Sequence, residues 1–278
     1  MTQQFAVLLA AAGKSQRFAG MTDNDANMPA AKTPALKKPF AELCGQPVWQ
    51  HSAAQFAADP RVRQILVILA PDDLAFFESS YSRQTAQWSL ELVAGGTERF
   101  ESVENGLRRV RSDIDFVAIH DAARPCVTSE QIDAVFRAAE QFGAAILASP
   151  LVGTIKLATS HDGASSALLR DIAATVPRED LWEAQTPQVF RRELIVGAFA
   201  AFRGAFAAFR GDFAAFRGAF ARDRAACGPM RVTDDAQLVE NIGHTVKIVP
   251  SDRTNLKITA ASDLFLAEQF LQRFGGES

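Results

Sequence analysis

Cysteine is scarce: Cys44, Cys126 and Cys227 are the only three in 278 residues, far apart and in no CxxC or Cys/His ligand spacing. An odd, sparse set argues against a disulfide framework and a structural zinc site, and it suggests a reducing compartment, the cytoplasm. Net charge is nearly absent as well. Lys and Arg number 29 against 32 Asp and Glu, leaving −3, so nucleic acid is not expected as a partner and any working positive charge must be local. No apolar run reaches the roughly 18–20 residues that span a bilayer, so no membrane partner is expected either. The run 5–13 is apolar, but no basic stretch precedes it, and Lys14 and Arg17 stand where a signal peptide would be cut. Glycine-rich nucleotide loops are missing too. Neither GxxxxGK[ST] nor GxGxxG follows that run, only Gly13, which argues against a P-loop NTPase and an NAD-dependent oxidoreductase.

What is present is the make-up of a soluble globular enzyme, 48% apolar and 22% charged. Bare apolar runs at 5–9, 64–69, 116–119, 144–148 and 245–249 read as strands buried on both faces. Helical patterns at 48–57, 99–110, 129–141 and 262–274 lie among them. This alternation predicts one α/β domain over 1–278, a mostly parallel sheet with helices on both faces. Ligands in such folds bind beyond the carboxyl ends of the strands, which singles out the loops after Leu9, Ala70 and Ile119.

Three segments break the pattern. Residues 154–178 read as a protruding β-hairpin arm around the turn-like His161-Asp162-Gly163; an arm that cannot bury both faces alone suggests a homodimer. Residues 20–34, rich in Asn, Asp, Ala and Pro, read as an inserted loop. Residues 198–220 hold a tandem seven-residue repeat, Ala-Phe-Ala-Ala-Phe-Arg-Gly. Its Phe residues, spaced three and four apart, form one stripe of a helix, and its glycines each weaken that helix by about 0.8–1 kcal/mol relative to Ala. Packing of this stripe on the body or on itself is the plainer reading; binding of a partner or a membrane is the sharper one.

The first loop, Ala10 to Phe18, carries only small residues until Lys14. Small side chains let backbone amides approach a nucleotide, and a following helix start would add its positive end. Arg17 and, beyond the inserted loop, Lys37-Lys38-Pro39-Phe40 supply cations for a triphosphate. Ala-Ala-Gly-x-x-x-Arg followed by Lys-Pro-Phe resembles the signature of sugar-phosphate nucleotidylyltransferases. The later segments Gly95-Gly96-Thr97-Glu98-Arg99 through Ser102-Val103, His120-Asp121-Ala122-Ala123-Arg124-Pro125, Thr154-Ile155-Lys156, Arg178, Gln185-Thr186-Pro187-Gln188, Thr233-Asp234-Asp235 and Asn255-Leu256-Lys257 follow in order. Together they resemble the 2-C-methyl-D-erythritol 4-phosphate cytidylyltransferase family, from Phe5 to about Phe270.

The resemblance implies a Rossmann-like nucleotidyltransferase fold and transfer of a cytidylyl group from CTP to methylerythritol phosphate in isoprenoid precursor synthesis. It implies Arg17, Lys38 and Lys257 as catalytic cations, with Mg²⁺ carried mainly by the CTP phosphates. Ala11, Ala12, Gly13, Gly96 and Ser102 would hold CTP. Asp121, Arg124, Thr154, Arg178 and Thr186 would hold the acceptor, Arg178 by reaching into the site of a second subunit. Asp121 would lie near the metal, although no metal ligand is assigned; an N-cap or a pair with Arg124 is its structural alternative. His120 reads as a structural histidine, since transfer needs no imidazole. The loop before Lys38 is longer than usual in the family, which leaves Lys37 as an alternative. Thr254 stands where some members carry an acidic residue. Two other readings stay open: a cytidylyltransferase acting on ribitol 5-phosphate, and a non-catalytic nucleotide-binding regulator.

Overall fold

Strand β1 (Phe5–Ala10) shows why its sequence lacks polar alternation. Phe5, Val7 and Leu9 enter one hydrophobic cluster while Ala6 and Leu8 enter another, on opposite faces of the sheet. The computed structural model describes residues 2–13, 37–159, 170–208 and 232–275; Lys14, Arg17, the 20–34 loop, the arm's turn at 161–163 and Cys227 lie outside them. In chain order the strands are β2 (Glu42–Leu43), β3 (Gln46–Pro47), β4 (Val62–Leu69), β5 (Leu90–Ala94), β6 (Phe116–Asp121), β7 (Ala144–Pro150), β8 (Ile155–Ala158), β9 (Ile172–Val176), β10 (Trp182–Arg191) and β11 (Lys247–Pro250). The main sheet runs β11-β7-β10-β6-β1-β4-β5. Its neighbours pair in parallel except β10, which is antiparallel to both β6 and β7.

Helices cover both faces. On one lie α1 (Val48–Ala57), α2 (Leu74–Ser80) and, beyond the short α3 (Ser82–Gln87), α5 (Ser129–Phe142), contributing Trp49, Phe56, Phe77, Ile132, Val135 and Phe136. On the other lie α4 (Arg99–Leu107), α6 (Arg192–Ala208) and α7 (Ala236–Asn241), contributing Val103, Leu107, Ile195, Phe199, Leu238 and Val239. Helix α5 has the ends its sequence announces. Thr128 Oγ1 accepts from Gln131 N while Gln131 Oε1 accepts from Thr128 N, and Gly143 closes the helix at φ +85°. Helix α8 (Ala261–Gly275) builds a third cluster, in which Ala267 and Ile258 meet Leu43, Val48, Ala123 and Cys126.

Strands β8 and β9 form a separate antiparallel pair, as the arm reading expected, with Leu157 and Ile172 more than half exposed. Helix α6 contains the first unit of the Phe repeat. Phe199 and Phe202 are buried against the body, Phe202 edge-on to Phe100 of α4; residues 209–231 lie outside the described ones. Among the described residues no helix is long and apolar enough to cross a membrane.

Candidate active site

Strands β1, β4, β5 and β6 run the same way, so their carboxyl ends share one edge of the sheet. There the first loop leaves β1. Ala11 N donates to Ile68 O at 2.8 Å and Ala122 N to Ala10 O at 3.0 Å, fixing the start of the loop between two neighbouring strands. The turn after β5 lies against it: Gly95 N donates to Leu69 O at 2.7 Å. A Cβ on Gly95 would stand 2.7 Å from Ala12 Cβ and 2.9 Å from Ser102 Oγ, so only glycine lets these segments touch. Gly96 N donates to Ser102 Oγ at 3.0 Å, and that hydroxyl donates to Glu98 O at 3.1 Å. Glu101 Oε2 closes the turn from the helix side, accepting from Thr97 N and Glu98 N. Ala12, Gly96 and Ser102, three of the residues expected to hold CTP, thus lie side by side, with Ser102 and Ala11 buried and Gly13 exposed.

Asp121 ends β6 with its carboxylate nearly buried. Oδ2 accepts from Lys257 Nζ at 2.6 Å, and Oδ1 lies 3.6 Å from Arg99 Nη2. Burial alone would raise its pKa, but Arg99 and Lys257 outweigh burial and hold the carboxyl well below the usual carboxylate range. Arg99 Nη1 lies 2.8 Å from Asp235 Oδ2. That contact is an ion pair rather than an aligned hydrogen bond, since neither buried oxygen of Asp235 receives a hydrogen bond of good geometry. Burial would lower the Arg99 pKa, yet Asp235 and Asp121 together hold it above the ordinary guanidinium value.

Behind Asp121 the site is braced by hydrogen bonds. Thr186 Oγ1 accepts from Asp121 N at 3.0 Å and lies 3.1 Å from His120 Nδ1. Arg124 O can only accept, so this neutral ring carries its proton on Nε2 and donates it there at 3.2 Å, which leaves Nδ1 to accept the Thr186 hydroxyl proton. Complete burial keeps this imidazole neutral, its pKa pushed down to about 4. Arg124 Nη1 donates to Asn255 O at 2.7 Å, and Asn255 Nδ2 donates to Gln185 Oε1 and Thr186 O, each at 3.0 Å. Gln188 takes the Asp235 and Ala236 amides on its Oε1 and gives its Nε2 to Asp234. The Gln185-Thr186-Pro187-Gln188 segment, with a cis Thr186–Pro187 bond, therefore clasps the loops bearing Lys257 and Asp235.

The structure brings Asp121, Lys257, Gly96 and Ser102 to one edge and gives Thr186 and Arg124 bracing contacts behind them. The pairing of Asp121 with Arg124 that sequence left open is not the one found: Asp121 turns to Lys257 and Arg99. Lys37 is drawn aside, its Nζ 2.6 Å from Asp73, while Lys38 is close enough to Asp263 of α8 to help lower that carboxyl, whose burial is outweighed mainly by backbone amides. Thr154 and Arg178 are exposed at the root of the arm, where the Arg178 guanidinium donates to Val152 O. Arg17 is outside the described residues. Sequence reasoning gave Arg99 and Asp235 no role, although both sit inside segments it quoted. Their only signal was an Arg at the start of a helix following a Gly-Gly turn.

The described residues contain no group of three or more His, Cys, Asp or Glu that could hold a metal ion. Asp121 has a cation at each oxygen.

Residues 6–273 match the family model for 2-C-methyl-D-erythritol 4-phosphate cytidylyltransferase. A protein of that description from Solibacter usitatus is 35% identical over 273 residues, 98% of each chain. Another from Acidobacterium capsulatum is 36% identical over 268 residues, 96% of this chain and 97% of the other. The crystal structure of a 4-diphosphocytidyl-2C-methyl-D-erythritol synthase from Anaerococcus prevotii superimposes with a TM-score of 0.70 over 98% of this chain and 97% of the other, at 21% identity; at that identity the likeness speaks for the fold.

Proposed function

We propose a division of labour within the site from the premise that the chain belongs to the 2-C-methyl-D-erythritol 4-phosphate cytidylyltransferase family and transfers the cytidylyl group of CTP to that sugar-alcohol phosphate. In the reaction an oxygen of the acceptor's phosphate attacks the α-phosphorus of CTP, the bond from that phosphorus to the bridging oxygen breaks, and pyrophosphate leaves with the electron pair. The attacking group is already an anion, so no general base is required. The barrier lies in bringing anions together and in stabilising the charge that builds on phosphorus and leaving group.

The observation that carries this reading is the Lys257–Asp121 pair, 2.6 Å apart at the strand edge that also holds the Gly96–Ser102 turn. Gly96, Ser102 and the small residues Ala11 to Gly13 read the base and ribose. Asp121 accepts from hydroxyls of the acceptor, while Lys257, Lys38 and Arg17 neutralise the phosphates and the leaving pyrophosphate. Lys257 is 43% exposed, so its ammonium remains accessible from the solvent side while Asp121 anchors it. Mg²⁺ bound to the CTP phosphates would add charge neutralisation. Thr186 and Arg124 act behind Asp121. Thr154 and Arg178, at the root of the exposed arm, act on the acceptor, Arg178 by reaching into the site of a second copy of this chain. The exposure of Leu157, Ile172 and Val152 supports a homodimer formed through that arm.

Pyrophosphate release by the purified protein with Mg²⁺ and CTP tests the reading, with methylerythritol phosphate and ribitol 5-phosphate compared as acceptors. Turnover with the first alone, abolished by Arg17→Ala, is the expected result. Turnover with ribitol phosphate alone would refute the acceptor assignment, and CTP binding without turnover would favour a regulator.

A further inference from the structure

Arg99 opens α4 directly after the turn that carries Gly96. Its terminal nitrogens face different segments, Nη1 toward Asp235 at 2.8 Å and Nη2 toward Asp121 at 3.6 Å. Asp235 is fully buried at the start of α7 and has no hydrogen-bonded partner for either oxygen, so Arg99 is the counter-charge the described residues give it. A buried carboxylate without such a partner is strongly unfavourable, and this fixes the guanidinium at one end. The other end then faces the Asp121 oxygen that Lys257 leaves free. A planar guanidinium can span two carboxylates in this way, whereas a lysine ammonium is a single point charge. Helix α4 is itself tied to the turn through Ser102 and Glu101, so one side chain joins the base-reading turn, the end of β6 and the start of α7.

We propose that Arg99 is a positioning residue that sets the base-reading turn at a fixed distance from the Asp121–Lys257 pair, keeping nucleotide and acceptor in line for transfer. This rests on the roles given above to Gly96, Ser102 and Asp121. Arg99 touches neither substrate in this scheme. Its effect is on the geometry between two binding surfaces, where a shift of about 1 Å can cost on the order of 10² in rate.

Arg99→Lys separates this role from a merely structural ion pair, because it keeps the charge for Asp235 but cannot span both carboxylates. A folded Arg99→Lys protein is expected to show kcat lowered about 10²-fold, with KM for the acceptor raised more than KM for CTP. The double variant Arg99→Met/Asp235→Leu removes both charges and so leaves no orphan in the core, and it provides a folded control if the lysine variant is unstable. It should melt at or above the wild-type temperature yet keep the kinetic defect. Wild-type kcat and KM per folded molecule in either variant, with a change only in melting temperature, would overturn the proposal. A wild-type protein that fails to turn over methylerythritol phosphate would instead refute the site reading beneath it.

Discussion

Thr186→Val asks whether this threonine serves the substrate or the protein. The replacement keeps shape and volume and removes one hydroxyl, so no cavity contributes. That hydroxyl is the partner of the Asp121 amide at 3.0 Å and of His120 Nδ1 at 3.1 Å, and Thr186 and His120 are both buried. Each orphaned buried group costs roughly 1–3 kcal/mol. Two of them, partly relaxed, should cost about 3 kcal/mol, and at roughly 2–4 °C per kcal/mol for a chain of this size the melting temperature should fall by about 6–12 °C. Turnover should fall as well, because the displaced amide belongs to Asp121. Thr186→Ser retains the hydroxyl and loses a methyl, about 1 kcal/mol, and should recover most of both losses. Thermal unfolding and steady-state kinetics on the two variants suffice. If Val melts like the wild type while KM for the acceptor rises sharply, Thr186 binds substrate directly and the bracing role is wrong.

Three further outcomes follow from the same geometry. His120 has a folded pKa of about 4 against 6.5 when unfolded. The unfolded chain therefore binds the extra proton first, and about 3 kcal/mol of stability, complete above pH 6.5, is lost as pH falls through 4; denaturant titrations at several pH values should show a shallower loss in His120→Gln. Lys37→Ala should leave turnover within a few-fold because Asp73 already holds that ammonium, while Lys38→Ala should lose roughly 10²–10³ in pyrophosphate release; equal losses would contradict the separation. In Gly96→Ala the new Cβ would stand 2.4 Å from Glu101 Cβ, so KM for CTP should rise with kcat less affected, and an unchanged KM would remove the turn from the nucleotide site.

The sequence was most legible where burial on both faces leaves an unbroken apolar run. Strands β1, β4, β6 and β7 and helices α1 and α5 all fall within a few residues of their expected positions. It was least legible at β10. Trp-Glu-Ala-Gln-Thr-Pro-Gln is polar and carries a proline, a poor pattern for a central strand, yet β10 lies between β6 and β7. Its polar residues are spent on holding neighbouring loops, and its pairing with β7 is irregular between Ala184 and Gln188, around that proline. Strand β5 was missed because Leu-Glu-Leu-Val-Ala sits at the sheet edge, where Glu91 can face Gln64 without cost. At the site, Asp121, Lys257, Gly96 and Ser102 were named from their motifs, and the structure gathers them at one sheet edge. The Arg99–Asp235 pair was not, since 136 residues of sequence separation carry no local pattern.

The position of β10 also dictates an order of assembly. Strands β1, β4, β5 and β6 can pair as soon as residue 121 is available, but β7 has no partner among them. It waits for β10 on one side and β11 on the other, both supplied by the last third of the chain. A chain growing from its amino terminus thus carries β7 as an unpaired apolar strand until the arm has been made and residues 182–191 follow it. During synthesis a strand that ends up buried is therefore left for a time without strand partners, and a chain halted shortly after residue 150 should need a chaperone more than the finished one.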